Sequence, residues 1–204
     1  MRFFRPGVLV HRLYPEALFR MSGDEKNLCL TFDDGPDPRS TPKLLKILAQ
    51  RDIKAIFFCT GEAAEKYPGL ISLISDRGHF IGNHGYFHLD GWRTSSCDYI
   101  DNVCRAAPFT SARLFRPPYG HLRLAQYRRL RKSYKIIFWD IMPYDFDSCF
   151  GSGNSLKTLM RKIRPGAVIV LHDKPYSSAP LFLEEFIDLS AAAGYNFVLP
   201  ASLL

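Results

Sequence analysis

Short runs of apolar, β-branched and aromatic residues recur along the chain, separated by longer stretches with apolar residues at helical spacing. The runs are LCLTF (28–32), IKAIFFC (53–59), GHFIGN (78–83), ARLFRP (112–117), KIIFWDI (135–141), GAVIVLHD (166–173) and YNFVL (195–199). Each has the length and residue types of a strand. Between them, TPKLLKILAQR (41–51) places Thr41 as an N-cap and Pro42 at the first helical position. GEAAEKYPGLISLISDRG (61–78) and PLFLEEFIDLSAAAG (180–194) read as helices that end at a glycine. Strands alternating with helices imply βα units on a parallel sheet. About seven such units in one chain predict a barrel or a doubly wound sheet, folded as a single domain. No linker interrupts the series. Residues 1–27 stand apart as an N-terminal arm, and residues 28–204 form the domain.

Composition agrees with a folded chain. Of 204 residues, 47% are hydrophobic and 23% charged, so a sizeable core is available and disorder is excluded. No apolar run is long enough to span a bilayer. The N-terminal stretch is basic, but its apolar part is only GVLV, so no secretory signal is expected. Five cysteines, without C-x-x-C spacing, argue against a disulfide framework and a zinc knuckle. Reduced, largely buried thiols and a cytoplasmic location are the expectation. The net charge of +7 favours an anionic partner. Much of the excess lies in RLAQYRRLRKSYK (123–135), read as a helix with a solvated arginine-rich face. If that face has a partner, it is an anionic membrane surface or a lipid-linked sugar, with the protein peripheral to the inner membrane face. No nucleic-acid partner is expected.

Polar residues gather where a parallel barrel puts its chemistry, at the carboxyl ends of strands. Asp33 and Asp34 end the first run, His84 and His88 follow the third, and Arg116 and Tyr119 follow the fourth. Asp140 closes the fifth and His172 the sixth. Adjacent ionised carboxylates repel, so Asp33 and Asp34 need a metal ion, a nearby arginine or exposure on a turn. The H-x₃-H spacing of His84 and His88 brings two imidazoles within reach of one ion. With an aspartate from another strand end, they supply the three protein ligands of an open catalytic site.

Four ordered motifs, TFDDG (31–35), HGYFH (84–88), RPPYG (116–120) and VLHD (170–173), resemble those of the polysaccharide deacetylases of the NodB-homology, carbohydrate esterase 4 type. The resemblance covers roughly residues 28–199. It implies a distorted (β/α) barrel and metal-dependent removal of acetyl groups from N-acetylated sugars. By motif position, Asp34, His84 and His88 would hold one divalent cation, with zinc the default and cobalt, nickel or iron also compatible. Asp33 would be the general base, His172 the general acid, Arg116 the residue that orients Asp33, and Tyr119 a backbone donor to the reacting carbonyl.

The chain departs from the family pattern at three positions. Gly85 replaces a hydroxyl residue after the first histidine, so ligand orientation must come from elsewhere. Met142 stands where the carboxylate partner of the catalytic histidine is expected, which leaves Asp140, about 6.6 Å away on the same face of a regular strand, as the substitute. Asp145 matches the motif's second aspartate, with Phe146 in place of tryptophan.

Trp139, Phe138 and Cys59 are read as core, and Trp92 as either a wall residue or a sugar-stacking surface. The expected activity is removal of an N-acetyl group from a sugar or glycan. An amide hydrolase of a small non-sugar substrate, or a glycan-binding protein with little turnover, is the alternative.

Overall fold

All seven apolar runs form strands. The computed structural model describes residues 4–110 and 113–200. In chain order the elements are α1 (Val8–Leu13), β1 (Asn27–Asp33), α2 (Thr41–Ala49), β2 (Ile56–Cys59), α3 (Gly61–Lys66), α4 (Pro68–Asp76) and β3 (Phe80–Asn83). There follow α5 (Ser96–Ala106), β4 (Leu114–Phe115), α6 (Leu124–Leu130), β5 (Lys135–Ile136), α7 (Ser152–Lys162), β6 (Val168–His172), α8 (Ala179–Ala192) and β7 (Asn196–Phe197). The strands run β5-β4-β3-β2-β1-β6, all parallel, with β7 added to the start of β1. Beyond β5 the chain turns towards β6, where Ile141 pairs with Ile169. The result is a distorted, single-domain barrel.

Alternation along the strands separates two apolar layers. On β1, Leu28, Leu30 and Phe32 pack outward against Leu44, Leu45 and Leu48 of α2 and Phe182, Leu183 and Phe186 of α8. Cys29 points inward and joins Ile56, Phe58, Leu114, Ile137 and Val168 inside the barrel. Each fully buried Leu or Phe contributes roughly 1.5–3 kcal/mol. The inward parity is what delivers polar side chains to the mouth of the barrel. Two residues on from Leu114 comes Arg116, four on from Val168 comes His172, and four on from Cys29 comes Asp33.

The N-terminal arm crosses the seam of the barrel. Leu18 N–H donates to Ile136 O at 2.9 Å and Phe138 N–H to Leu18 O at 2.8 Å, while Met21 N–H reaches Gly166 O at 2.8 Å. Tyr14 packs edge-on to Tyr127 of α6 at 5.0 Å. The arm therefore lies between β5 and the start of β6.

Several local expectations need correction. The stretch 61–78 forms two helices because Pro68 lacks the N–H that would continue the first, so the chain breaks at Tyr67. Ser40, not Thr41, occupies the N-cap of α2, and the Thr41 hydroxyl is bonded elsewhere. The basic helix spans only residues 124–130, since the chain must turn to enter β5. Of the five free thiols only Cys29 and Cys59 are buried, and Cys97, Cys104 and Cys149 are exposed. Burial pushes Cys29 up to about 12 and Cys59 well above its ordinary value, so both are inert as nucleophiles. Among the described residues no helix is long and apolar enough to cross a membrane.

Candidate active site

Asp33 is buried at the end of β1, and its Oδ1 accepts from Arg116 Nη1 at 2.7 Å. Arg116 is fully buried and distributes its remaining donors to Thr31 Oγ1 at 2.7 Å, Ile137 O at 3.2 Å and Phe138 O at 2.8 Å. Its guanidinium lies over the Phe58 ring, 4.2 Å from the centroid. A buried cation is tolerated when its donors are satisfied in this way. The consequence is positional: Asp33 Oδ1 is fixed, and Oδ2 is held 3.9 Å from His84 Nε2.

The adjacent carboxylate has different neighbours. Asp34 adopts φ 76°, left-handed backbone, and both adjacent carboxylates line the same cavity. Its Oδ1 lies 3.4 Å from His84 Nε2 and 3.0 Å from His88 Nε2. That oxygen is buried and makes no hydrogen bond of proper geometry. One ligand atom from each of Asp34, His84 and His88 lies within 4.8 Å of the others. Burial would raise the Asp34 pKa, but the two imidazoles beside it hold it well below the carboxylate range. An unpaired buried oxygen among two ring nitrogens fits a divalent cation of the zinc, cobalt, nickel or iron type.

His84 is oriented without a hydroxyl at position 85. Its Nδ1 lies 2.8 Å from Arg116 O, which can only accept, so Nδ1 carries the proton and Nε2 presents its lone pair to the cluster. Gly85 has φ 74°, and a Cβ there would lie 2.7 Å from Asn102 Nδ2. The left-handed backbone and the close Asn102 amide together favour glycine here. His88 (φ 53°) and Tyr119 (φ 60°) are also left-handed, and their rings meet edge-on at 4.6 Å. Three of the five non-glycine residues with positive φ among those described thus sit at this site, as strained backbone often does. Tyr119 N–H donates to no backbone carbonyl among the described residues.

His172 closes the arrangement from β6, in register with Asp33 on β1. The expectation that Asp140 is its partner is incorrect. Asp145 Oδ1 lies 2.9 Å from His172 Nδ1, and Asp145 Oδ2 accepts from His172 N at 2.8 Å and Ser177 Oγ at 2.7 Å. Burial alone would lower the His172 pKa, but the charge and hydrogen bond of Asp145, helped by Asp34 and Asp33, push it up to about 9. Asp140 instead pairs with Arg164 Nε at 3.0 Å and lies 3.5 Å from Arg5 Nε. The cause is a bulge: the N–H groups of Asp140 and Ile141 both point to Val168 O, at 2.8 and 3.2 Å. The extra residue breaks the alternation, so Asp140 turns away while Met142 faces the cavity.

These side chains line a cavity of about 550 Å³, which Trp139, Phe146 and Tyr176 also border. Trp139 is therefore part of the site wall, whereas Phe138 is core, as expected. Trp92 packs on a neighbouring ring and keeps much of its surface open. It stacks on His121 at 3.6 Å and 7° while remaining 56% exposed.

The fold and the site define a class: a parallel α/β barrel whose strand ends gather three metal-type donors between a buried carboxylate and an imidazole. Residues 20–136 match the polysaccharide deacetylase family model, and the chain belongs to that family. A peptidoglycan N-acetylglucosamine deacetylase of Bacillus cereus is 32% identical over 74% of this chain, which spans 58% of that protein's length. A chitooligosaccharide deacetylase of a Bradyrhizobium species is 32% identical, over 85% of this chain and 80% of its own. The solved structure of a peptidoglycan N-acetylglucosamine deacetylase superposes with a TM-score of 0.86 at 28% identity, covering 93% of this chain and 92% of that one.

Proposed function

We propose that the protein hydrolyses the N-acetyl amide of an N-acetylated sugar or glycan, using a divalent cation held by Asp34, His84 and His88. The observation that carries this reading is the pairing of the unsatisfied Asp34 Oδ1, inside a two-histidine cluster, with Asp33 and His172 on the same cavity. The cation would supply Lewis acidity, lowering the pKa of water and polarising the acetyl carbonyl. Asp33 accepts a proton from the attacking water, with Arg116 holding its other oxygen in place. The new C–O bond forms as the carbonyl electron pair moves to oxygen, to which Tyr119 N–H, without a backbone acceptor among the described residues, would donate. The C–N bond then breaks, and the nitrogen takes a proton from His172 Nε2, since Nδ1 is engaged by Asp145. Acetate and a free amine are the products.

The reading of a binding protein with little turnover arose from Met142, and Asp145 removes that motive by holding His172 itself. The aromatic wall of Tyr119, Trp139, Phe146 and Tyr176 suits the faces of sugar rings better than a small ureide or cyclic amide. Zinc-loaded protein is expected to release acetate from peptidoglycan fragments or chitooligosaccharides, and not from simple non-sugar amides. Turnover confined to non-sugar amides in such a panel would overturn the assignment.

The free thiols suit a reducing compartment, the ground for proposing a cytoplasmic location, and the inner membrane face rests instead on α1 and the basic helix. Val8, Leu9 and Leu13 of α1 are exposed near Tyr14, which packs on α6 with its Arg128 and Arg129. Binding to anionic vesicles should be salt-sensitive and weaken when both arginines become glutamine. Equal binding to neutral vesicles counts against this location.

A further inference from the structure

A second cleft, of about 370 Å³, opens beside the catalytic cavity and shares Lys174 and Tyr176 with it. Its other walls bring Arg39 and Lys43, from the β1–α2 connection and α2, opposite Ser152 and Ser178. Three cations and several hydroxyls therefore face one concavity, and no carboxylate lines it. The nearest acid to touch these cations is Asp37, whose Oδ1 lies 3.9 Å from Arg39 Nε, too far for a hydrogen bond. Lys174 lies close enough to the buried Asp173 to lower its pKa, but Asp173 is turned to the hydroxyls of Ser40 and Thr41 and does not line the cleft. Asp37 and the buried Asp173 beside Lys174 offset part of this charge from behind the wall, but the cleft surface itself presents only cations and hydroxyls beside the catalytic cavity.

We infer that this cleft binds an anionic substituent, carboxylate or phosphate, carried by the sugar chain whose N-acetyl group occupies the catalytic cavity. The inference rests on the deacetylase reading and narrows it to acidic glycans. Three features support it. Three cations lining one concavity create a positive potential there that attracts an anion. Continuity through Lys174 and Tyr176 lets one oligosaccharide span both cavities. The hydroxyl of Ser152 supplies a neutral donor beside the charges, the mixture that anionic oxygens accept, whereas that of Ser178 already donates to Asp145 O at 3.1 Å. The starts of α2, α7 and α8 border the same cleft, and none is capped by its own N-cap side chain, which adds a smaller favourable potential.

The test uses zinc-loaded protein and the double variant Arg39→Gln with Lys43→Gln, both exposed and outside the catalytic cavity. Acetate release is measured on a neutral N-acetylated chitotetraose, on the same chain bearing a uronic carboxylate, and on one bearing a phosphate monoester. The expected result is a rise in KM of about tenfold in the variant for at least one anionic chain, with its kcat and both constants for the neutral chain unchanged. The arm that responds identifies carboxylate or phosphate as the recognised group. Equal KM changes on neutral and anionic chains, or none on either, would overturn the inference. Calorimetry with inorganic phosphate separates this from the activity itself. Phosphate binding that disappears in the double variant supports the cleft even if no substrate is turned over, and wild-type protein that binds neither phosphate nor anionic chains preferentially refutes it.

Discussion

Asp33→Asn is expected to lower acetate release by roughly 10²–10⁴-fold while the protein keeps its metal. Asparagine preserves the shape of the side chain and an oxygen for Arg116, whose Nη1 now lies 2.7 Å from the carboxylate. It cannot take up a proton, so only the base is removed. The substitution also leaves the fully buried Arg116 without its counter-charge, a loss of about 3–5 kcal/mol by comparison with other buried pairs, so melting curves must accompany the assays. Asp34→Asn gives the opposite signature. Its Oδ1 is the atom that the two imidazoles surround, and replacing an anionic oxygen by an amide weakens cation binding directly. Metal content measured by elemental analysis should therefore fall in the Asp34 variant and hold in the Asp33 variant. Full turnover in the Asp33 variant would remove it as the base.

These two adjacent carboxylates also show why the placement of the candidate site is legible in the sequence. Strand parity alone places Asp33, Arg116 and His172 on the inner face of the barrel, because each lies an even number of residues from an inward apolar one. With left-handed backbone at Asp34 the two carboxylates share His84 as a neighbour, but the first is held by an arginine and the second lies between two histidines. The seven strands were equally readable, since a strand buried on both faces is a continuous apolar run. Helices were less so. The segments that form α5 and α7 are polar on average, and although Tyr99, Ile100, Val103 and Ala106 of α5 recur at helical spacing, Asn102 in α5 and Ser155 and Thr158 in α7 share the buried face, which thins the apolar signal.

Other features depend on partners far away in sequence. The arm owes its path to carbonyls at 136 and 166, which nothing in residues 1–27 announces. The same holds for the orientation of His84, which comes from the Arg116 carbonyl and not from a side chain. The bulge at Asp140 and Ile141 is the clearest case, because it is set by pairing with Val168 on β6. A regular strand would put Asp140 and Met142 on one face, and that assumption led to the wrong partner for His172. Phe146 could not reveal the correct one either, although its ring meets His172 edge-on at 4.8 Å. Asp145 becomes visible as the partner only when the 143–147 turn is seen to fold back over the end of β6.

Asp145→Asn should move the alkaline limb of the kcat–pH profile to lower pH, and Asp140→Asn should leave that limb where it is. In the native protein Asp145 faces both the ring and the backbone N–H of His172, and its charge is the principal influence that raises the imidazole above its ordinary 6.5, against burial, to about 9. An amide at position 145 retains hydrogen bonding but loses the charge. The imidazolium then releases its proton at lower pH, and the fraction able to protonate the leaving nitrogen shrinks sooner as pH rises. A cation beside Asp34 cancels that residue's share of the shift, so the limb of the loaded enzyme lies below 9 and the comparison must use one metal throughout. Linkage gives the same sign for stability: the contribution of His172 is complete below about 6.5 and is lost as pH rises through 9, a dependence that should flatten in the Asp145 variant. Asp140 acts elsewhere. Its contacts with Arg164 and Arg5 tie the bulge to the start of β6 and to the arm, so its substitution should cost roughly 1–3 kcal/mol of stability without moving the limb. A limb displaced by Asp140→Asn and unmoved by Asp145→Asn would return the role to Asp140. No displacement in either variant would mean that His172 does not supply the proton.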